Sequence, residues 1–286
     1  MALRIITADE RIQEFGGVKC LILGPYGIGK TSLLRTLDPD KTLFVDGEAG
    51  DLAVLDVPAD TIRPETWPEA RHLAAFIGGP NAAYPAEATY GQAHYDAAVE
   101  MFGDPGAMNK YETIFVDSIT KLSRLCLQWA QQQPDAFNAQ GKPDLRGAYG
   151  LLGREMLAWV TQLQHVRSKN VIFTCAMEQA KDDFGRLTWE PHLEGAKTGR
   201  ELPGIVDEVI SFTLLDDGEG GSYRAFVTHK DNPYGLPAKD RSGRLDPIEE
   251  PHLGKLIAKA SDQERRRADI TTTIRPHADA TTQQAA

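Results

Sequence analysis

Gly24-Pro25-Tyr26-Gly27-Ile28-Gly29-Lys30-Thr31 is the stretch on which the fold turns. The apolar run Val18-Lys19-Cys20-Leu21-Ile22-Leu23 precedes it and Ser32-Leu33-Leu34-Arg35-Thr36-Leu37 follows, so the order is strand, glycine loop, helix. A phosphate cradle needs a backbone that turns its N–H groups inward at the positive end of a helix, with a lysine reaching the outer phosphates. Residues 24–32 (Gly24, Pro25, Tyr26, Gly27, Ile28, Gly29, Lys30, Thr31 and Ser32) are therefore the expected nucleotide-binding set. Lys30 supplies charge to the β- and γ-phosphates, and the Thr31 hydroxyl is an expected Mg²⁺ ligand.

Two later segments bring acids to such a loop. Lys41-Thr42-Leu43-Phe44-Val45-Asp46 is an apolar run ending in Asp46-Gly47-Glu48, and Thr113-Ile114-Phe115-Val116-Asp117-Ser118 is a second that ends in a carboxylate and a hydroxyl. In open α/β sheets ligands bind beyond the carboxyl ends of the strands. Glu48 thus becomes a candidate for chemistry and Asp117 a candidate metal residue.

The 286 residues suit one large α/β domain, residues 18–260, with a segment 1–17 before it and a polar, disordered tail at 261–286. Proline punctuates 58–110, which is expected as a surface insertion with helices near 67–77 and 90–102. Residues 3–7 suggest a short edge strand. Helices are expected at 119–132, around 152–166 and at 251–260, and strands at 170–176, 205–215 and 223–229. The polar stretch 180–203 is expected to be a long lid-like loop.

Charge and composition narrow the classes. The net charge of −10 argues against non-specific nucleic-acid binding by the whole surface, although cations gather locally at Lys142, Arg146 and Arg154, at Arg167 and Lys169, and at Lys181, Arg186, Lys197 and Arg200. No apolar run approaches the roughly 18 residues of a membrane span. The opening Met1-Ala2-Leu3-Arg4-Ile5-Ile6-Thr7-Ala8-Asp9-Glu10 lacks the core of a secretory signal, so a cytoplasmic protein is expected. Cys20, Cys126 and Cys175 are unclustered in apolar surroundings and are expected in the core rather than at a metal or disulfide.

The order of these pieces, over about residues 18–235, resembles the RecA-like recombinase core, and in particular the small RecA-like ATPases of bacteriophages implicated in single-strand annealing and recombination. Phe44-Val45-Asp46-Gly47-Glu48 is similar to the strand that ends in that family's catalytic glutamate, and Ile114-Phe115-Val116-Asp117-Ser118 to its magnesium strand. The resemblance implies an α/β, RecA-like P-loop core, with a mostly parallel sheet, helices on both faces and a C-terminal antiparallel extension. It implies an ATPase using ATP and Mg²⁺, with Glu48, Lys30, Gln179 and Lys230 as catalytic residues and Thr31 and Asp117 at the metal. Gln179 would sense the γ-phosphate, with Glu178 as the second choice, and Lys230, Arg200 or Lys197 would reach a neighbouring subunit's nucleotide. Residues 131–148 and 180–203 stand where that family's DNA-contacting loops lie. Single-stranded DNA, a ring or filament of the chain itself and a single-strand binding protein are the implied partners. Two other classes remain open: a P-loop switch or motor acting on a protein in phage replication or packaging, and, more weakly, a small-molecule kinase. A GTPase fits poorly, since the lysine of Thr228-His229-Lys230-Asp231 is displaced by one from the usual guanine-reading pattern.

Overall fold

The computed structural model describes residues 5–13, 16–48, 50–181, 185 and 187–261. In chain order the strands are β1 (Lys19–Gly24), β2 (Thr42–Asp46), β3 (Asp60–Ile62), β4 (Thr113–Asp117), β5 (Asn170–Lys181), β6 (Leu187–Pro191), β7 (Glu208–Asp216), β8 (Ser222–Val227), β9 (Lys239–Asp240) and β10 (Ile248–Glu249). The helices are α1 (Ala8–Gln13), α2 (Trp67–Gly78), α3 (Gln92–Phe102), α4 (Ile119–Ala130), α5 (Leu145–Gln164), α6 (Ala196–Ile205) and α7 (Leu253–Ser261).

The sheet runs β10-β8-β7-β1-β5-β4-β2-β3, with β6 paired to β5 and β9 to β7. From β7 through β3 every pairing is parallel, while β6, β8, β9 and β10 are antiparallel additions. This is the α/β arrangement expected from the motif order, a mostly parallel sheet with an antiparallel extension toward the C-terminus. Every residue of β1, β2 and β4 is buried, the pattern of parallel strands covered on both faces.

Side chains alternate between two cores, as the two-residue strand period requires. Leu21, Leu23, Val116 and Phe173 face a layer holding Trp67, Leu122 and Trp159 of α2, α4 and α5. Cys20, Ile22, Phe44, Phe115 and Ile172 face Leu33, Leu34, Leu253 and Leu256, which come from the segment after the glycine loop and from α7. Burying a large apolar side chain contributes about 1.5–3 kcal/mol, so both layers are needed to offset the ordering of so long a chain.

Several expectations change. Residues 5–7 form no strand, residues 1–4 lie outside the described residues, and α1 follows instead. The segment 58–110 is not a surface excursion: it supplies edge strand β3, and α2 buries Trp67, Leu73, Ala74 and Ala75 in the core. Its prolines punctuate element ends, as at Pro68, just inside α2 after the Thr66 capping box. The stretch 180–203 is not one loop, because β5 runs on to Lys181 and folds back through β6 before α6 begins. Helix α5 starts at Leu145, capped by the Asp144 side chain, which shortens the loop expected at 131–148. The helix after the glycine loop is a single 3-10 segment, Thr31–Thr36, soon followed by Pro39. The tail expected at 261–286 lies outside the described residues after Ser261, where α7 ends. Cys20, Cys126 and Cys175 are free and buried. Among the described residues no helix is long and apolar enough to cross a membrane.

Candidate nucleotide site

Strand β5 lies between β1, which carries the glycine loop, and β4, which carries Asp117, so the loop and the acid approach each other across an intervening strand. The loop is built where side chains cannot go. A Cβ on Gly24 would stand 2.7 Å from the Phe212 carbonyl of β7, and Gly29 holds φ at 107°, a conformation that disfavours other residues. Ile28 turns inward and is buried, anchoring the loop, whereas Tyr26 and Gly27 are exposed. The Lys30 ammonium donates to the Gly24 and Pro25 carbonyls, each at 2.9 Å. Burial lowers its pKa, an effect that Asp117 opposes most.

Asp117 is the centre of the site and is only 4% exposed. The Thr31 hydroxyl donates to one of its oxygens and the Thr174 hydroxyl of β5 to the other. Burial raises the Asp117 pKa; the Thr174 and Thr31 hydroxyls pull it back, Glu48 adds to the rise and Lys30 opposes it.

Glu48 joins from β2. The Gly47 amide donates to the Asp117 carbonyl at 2.8 Å, and the Ser118 hydroxyl donates to the Glu48 carboxylate. Asp46 shapes that turn: almost wholly buried, it accepts the Glu48 and Gly50 amides at 3.2 and 3.3 Å and Nε of Arg63 at 2.9 Å. The exposed Glu48 is therefore presented by a fixed turn rather than by a free loop. The phosphate loop, Thr31, Asp117 and Glu48 come together beyond the carboxyl ends of the central strands β1, β4 and β2.

A family model described as an AAA domain matches residues 16–242. The chain is an AAA-domain protein. The family is one of P-loop ATPases, which use a nucleotide and typically Mg²⁺. No curated protein matches this AAA-domain chain. Among solved structures, the crystal structure of the RadB recombinase is similar over 77% of this chain and 85% of that one, at 17% identity and a TM-score of 0.37.

The donor set of this AAA domain fits a metal-bound triphosphate: a loop with no room for side chains at Gly24, a lysine, and a hydroxyl beside a buried carboxylate. Among the described residues no cluster of three or more His, Cys, Asp or Glu could hold a metal by itself, so Thr31 and Asp117 would bind one in company with phosphate oxygens.

Of the other expected residues, Glu178 and Gln179 lie farther along β5, past Ala176, which pairs with Gly24, while Lys230, Lys197 and Arg200 stand on other elements. Gln179 sits on the β5–β6 hairpin opposite Trp189, exposed. Its neighbour Glu178 is closer to the loop by contact, since His192 Nδ1 lies 3.6 Å from its carboxylate and 3.2 Å from the Tyr26 hydroxyl. Lys230 lines a cavity of about 990 Å³ with His229, Asp231 and Lys239, on the side of β7 and β9. Lys197 and Arg200 are exposed on α6, Lys197 pairing with Glu201 at 3.6 Å.

Sequence patterning gave no role to Thr174, to Ser118, to the Asp46–Arg63 pair or to His192. A hydroxyl inside the apolar run of β5 was the available signal for Thr174. Nothing in the local pattern marks Arg63 or His192, which act across 17 and 166 residues of chain respectively.

Proposed function

We propose that this protein hydrolyses ATP with Mg²⁺ and couples that reaction to binding of single-stranded DNA in annealing or recombination. The observation that carries the hydrolytic part is the joining of acids from β2 and β4 to the phosphate loop, through Thr31 on Asp117 and Ser118 on Glu48. Mg²⁺, when bound with the nucleotide, neutralises charge on the phosphates. Lys30 supplies a second positive charge to the β- and γ-phosphates, and the loop amides orient them. Thr31 and Asp117 would hold the metal. Glu48, facing solvent and steadied by Ser118, orients the attacking water and takes its proton. The reaction is mainly positioning, and a cation such as Lys230, Arg200 or Lys197 from a neighbouring copy in a ring or filament would complete the charge.

Support for a DNA contact is local. Residues 131–149 and the stretch from β5 to α6 approach each other at the first turns of α5, where Tyr149 stands close to Gly195. They carry exposed Lys142, Arg146, Lys181 and Arg200, with Phe137 and Tyr149 exposed among them, a mixture suited to phosphates and stacked bases. Gln179 and Glu178 on the hairpin would carry the nucleotide's state to this surface. A single-strand binding protein is a compatible partner in the same process.

The net charge of −10 favours a second reading, a P-loop switch or motor that acts on a protein in phage replication or packaging without touching DNA. ATP hydrolysis measured with and without single-stranded DNA decides between them, together with a gel shift across salt concentration. The first reading expects stimulation, loss of turnover in Lys30→Ala, and binding that weakens steeply with salt. Hydrolysis without stimulation or gel shift would leave the second; no hydrolysis would overturn both.

A further inference from the structure

Arg224 has no place in the mechanism above, yet it is the cation that β8 delivers to the phosphate loop. Strand parity explains how. Arg224 and Phe226 lie on one face of β8, and Phe226 packs in the core layer that also contains Ile28, Leu33 and Phe212. Phe212 of β7 meets Phe226 edge-on, with ring centroids 5.2 Å apart. From its position opposite Leu214, the Arg224 side chain reaches across β7 to the glycine loop. Its Nη1 and Cζ lie 3.6 and 3.7 Å from where a Gly29 Cβ would stand, and a Phe212 ring carbon lies 3.9 Å from the same point.

Among the described residues this guanidinium makes no hydrogen bond or ion pair, in a chain with 41 acidic residues to 31 basic ones. An arginine recognises phosphate through a planar fork of donors, and that fork stands beside the loop's third glycine. It comes from the β7–β8 side, whereas Asp117 and Glu48 come from the β4–β2 side beyond β5. We propose that Arg224 binds, in cis, the phosphates that ATP and ADP share, and so positions the nucleotide in its cradle. The inference rests on the nucleotide reading above and adds to it a binding residue outside the glycine-loop motif.

The test is equilibrium binding of fluorescent ATP and ADP analogues, with Mg²⁺, to the full chain and to its Arg224→Ala, Arg224→Gln and Arg224→Lys variants. Losing a charge-assisted fork should weaken both nucleotides by about tenfold in Arg224→Ala and Arg224→Gln, with a smaller loss in Arg224→Lys. Turnover should show a raised KM with kcat largely kept, as loss of ground-state binding requires. Arg224→Gln keeps an uncharged side chain with most of the aliphatic stem, so equal melting temperatures without nucleotide exclude a packing effect. Affinities within about twofold of wild type would overturn the proposal while leaving the nucleotide site standing. A loss confined to ATP would overturn the assignment to the shared phosphates. A wild-type chain that binds neither nucleotide would overturn the nucleotide reading itself, and this proposal with it.

Discussion

Thr174→Val removes one hydroxyl from the most buried part of the site and keeps the side chain's shape. Thr174 is fully buried and Asp117 nearly so, so water cannot take over the lost donation to the carboxylate. A hydrogen bond to a charged acceptor contributes about 1.5–3 kcal/mol, and that is the expected loss of stability while Asp117 is ionised. The sign with pH follows from burial. The Asp117 pKa is already raised in the folded chain, so its favourable contribution is present below the unfolded pKa and lost as pH rises through the folded one. Removing Thr174's hydroxyl, which had pulled that pKa back, moves it further up. The variant's penalty should therefore be largest well above the carboxylate range and shrink as Asp117 takes a proton. Urea unfolding of both proteins at about pH 8 and about pH 5 measures this, with unchanged m-values as the control. More Mg²⁺ should also be needed for half-maximal hydrolysis, because the protonated form competes with the metal. A penalty equal at both pH values, or below about 0.5 kcal/mol at the higher one, would refute the idea that hydroxyls hold Asp117 as a carboxylate.

Three further outcomes are expected. Ser118→Ala frees the Glu48 carboxylate and removes the α4 cap, so turnover at saturating ATP should fall by about tenfold with nucleotide affinity kept, at a cost of about 1 kcal/mol in stability. Unchanged turnover would show that Glu48 needs no support. Gly24→Ala places a Cβ against the Phe212 backbone and should cost about 1–3 kcal/mol and abolish the thermal shift given by ATP, read from melting curves with and without nucleotide. Glu208, buried beside Asp240, has its pKa pushed up to about 8, first by burial and then by that neighbour. Its folded pKa is raised from 4.5, so its contribution is complete below the unfolded pKa and the wild-type chain should lose stability as pH rises from 4.5 to about 8, and Glu208→Gln should flatten the loss in urea midpoints.

Much of the site was legible because phosphate chemistry constrains neighbouring residues along the chain. Glycines, a lysine and a hydroxyl must follow one another in a loop, and a buried strand ending in an acid announces itself as an apolar run with a charged stop. Glu48 and Asp117 were found in that way, and the structure brings them together. Gln179 lies on the β5 extension past Ala176, which pairs with Gly24, whereas Lys230 lies at the cavity by β9, because no local rule fixes a residue whose task is to reach another element or another copy. The stretch 180–203 misled for a related reason. A polar strand such as β6 gains its stability from pairing with β5, which the pattern of its own residues does not record.

Taken alone, the sequence determined the parallel strands, their two-sided burial and the phosphate loop, since each follows from residue types a few positions apart. Tertiary structure alone decided that β5 stands between the loop and its acid, which is how Thr174 comes to hold Asp117. It also decided that Ser118 steadies Glu48 and that Arg224 arrives at Gly29 from β8. Those contacts join residues 57, 70 and nearly 200 positions apart, and strand order, which local periodicity does not encode, is what closes such distances.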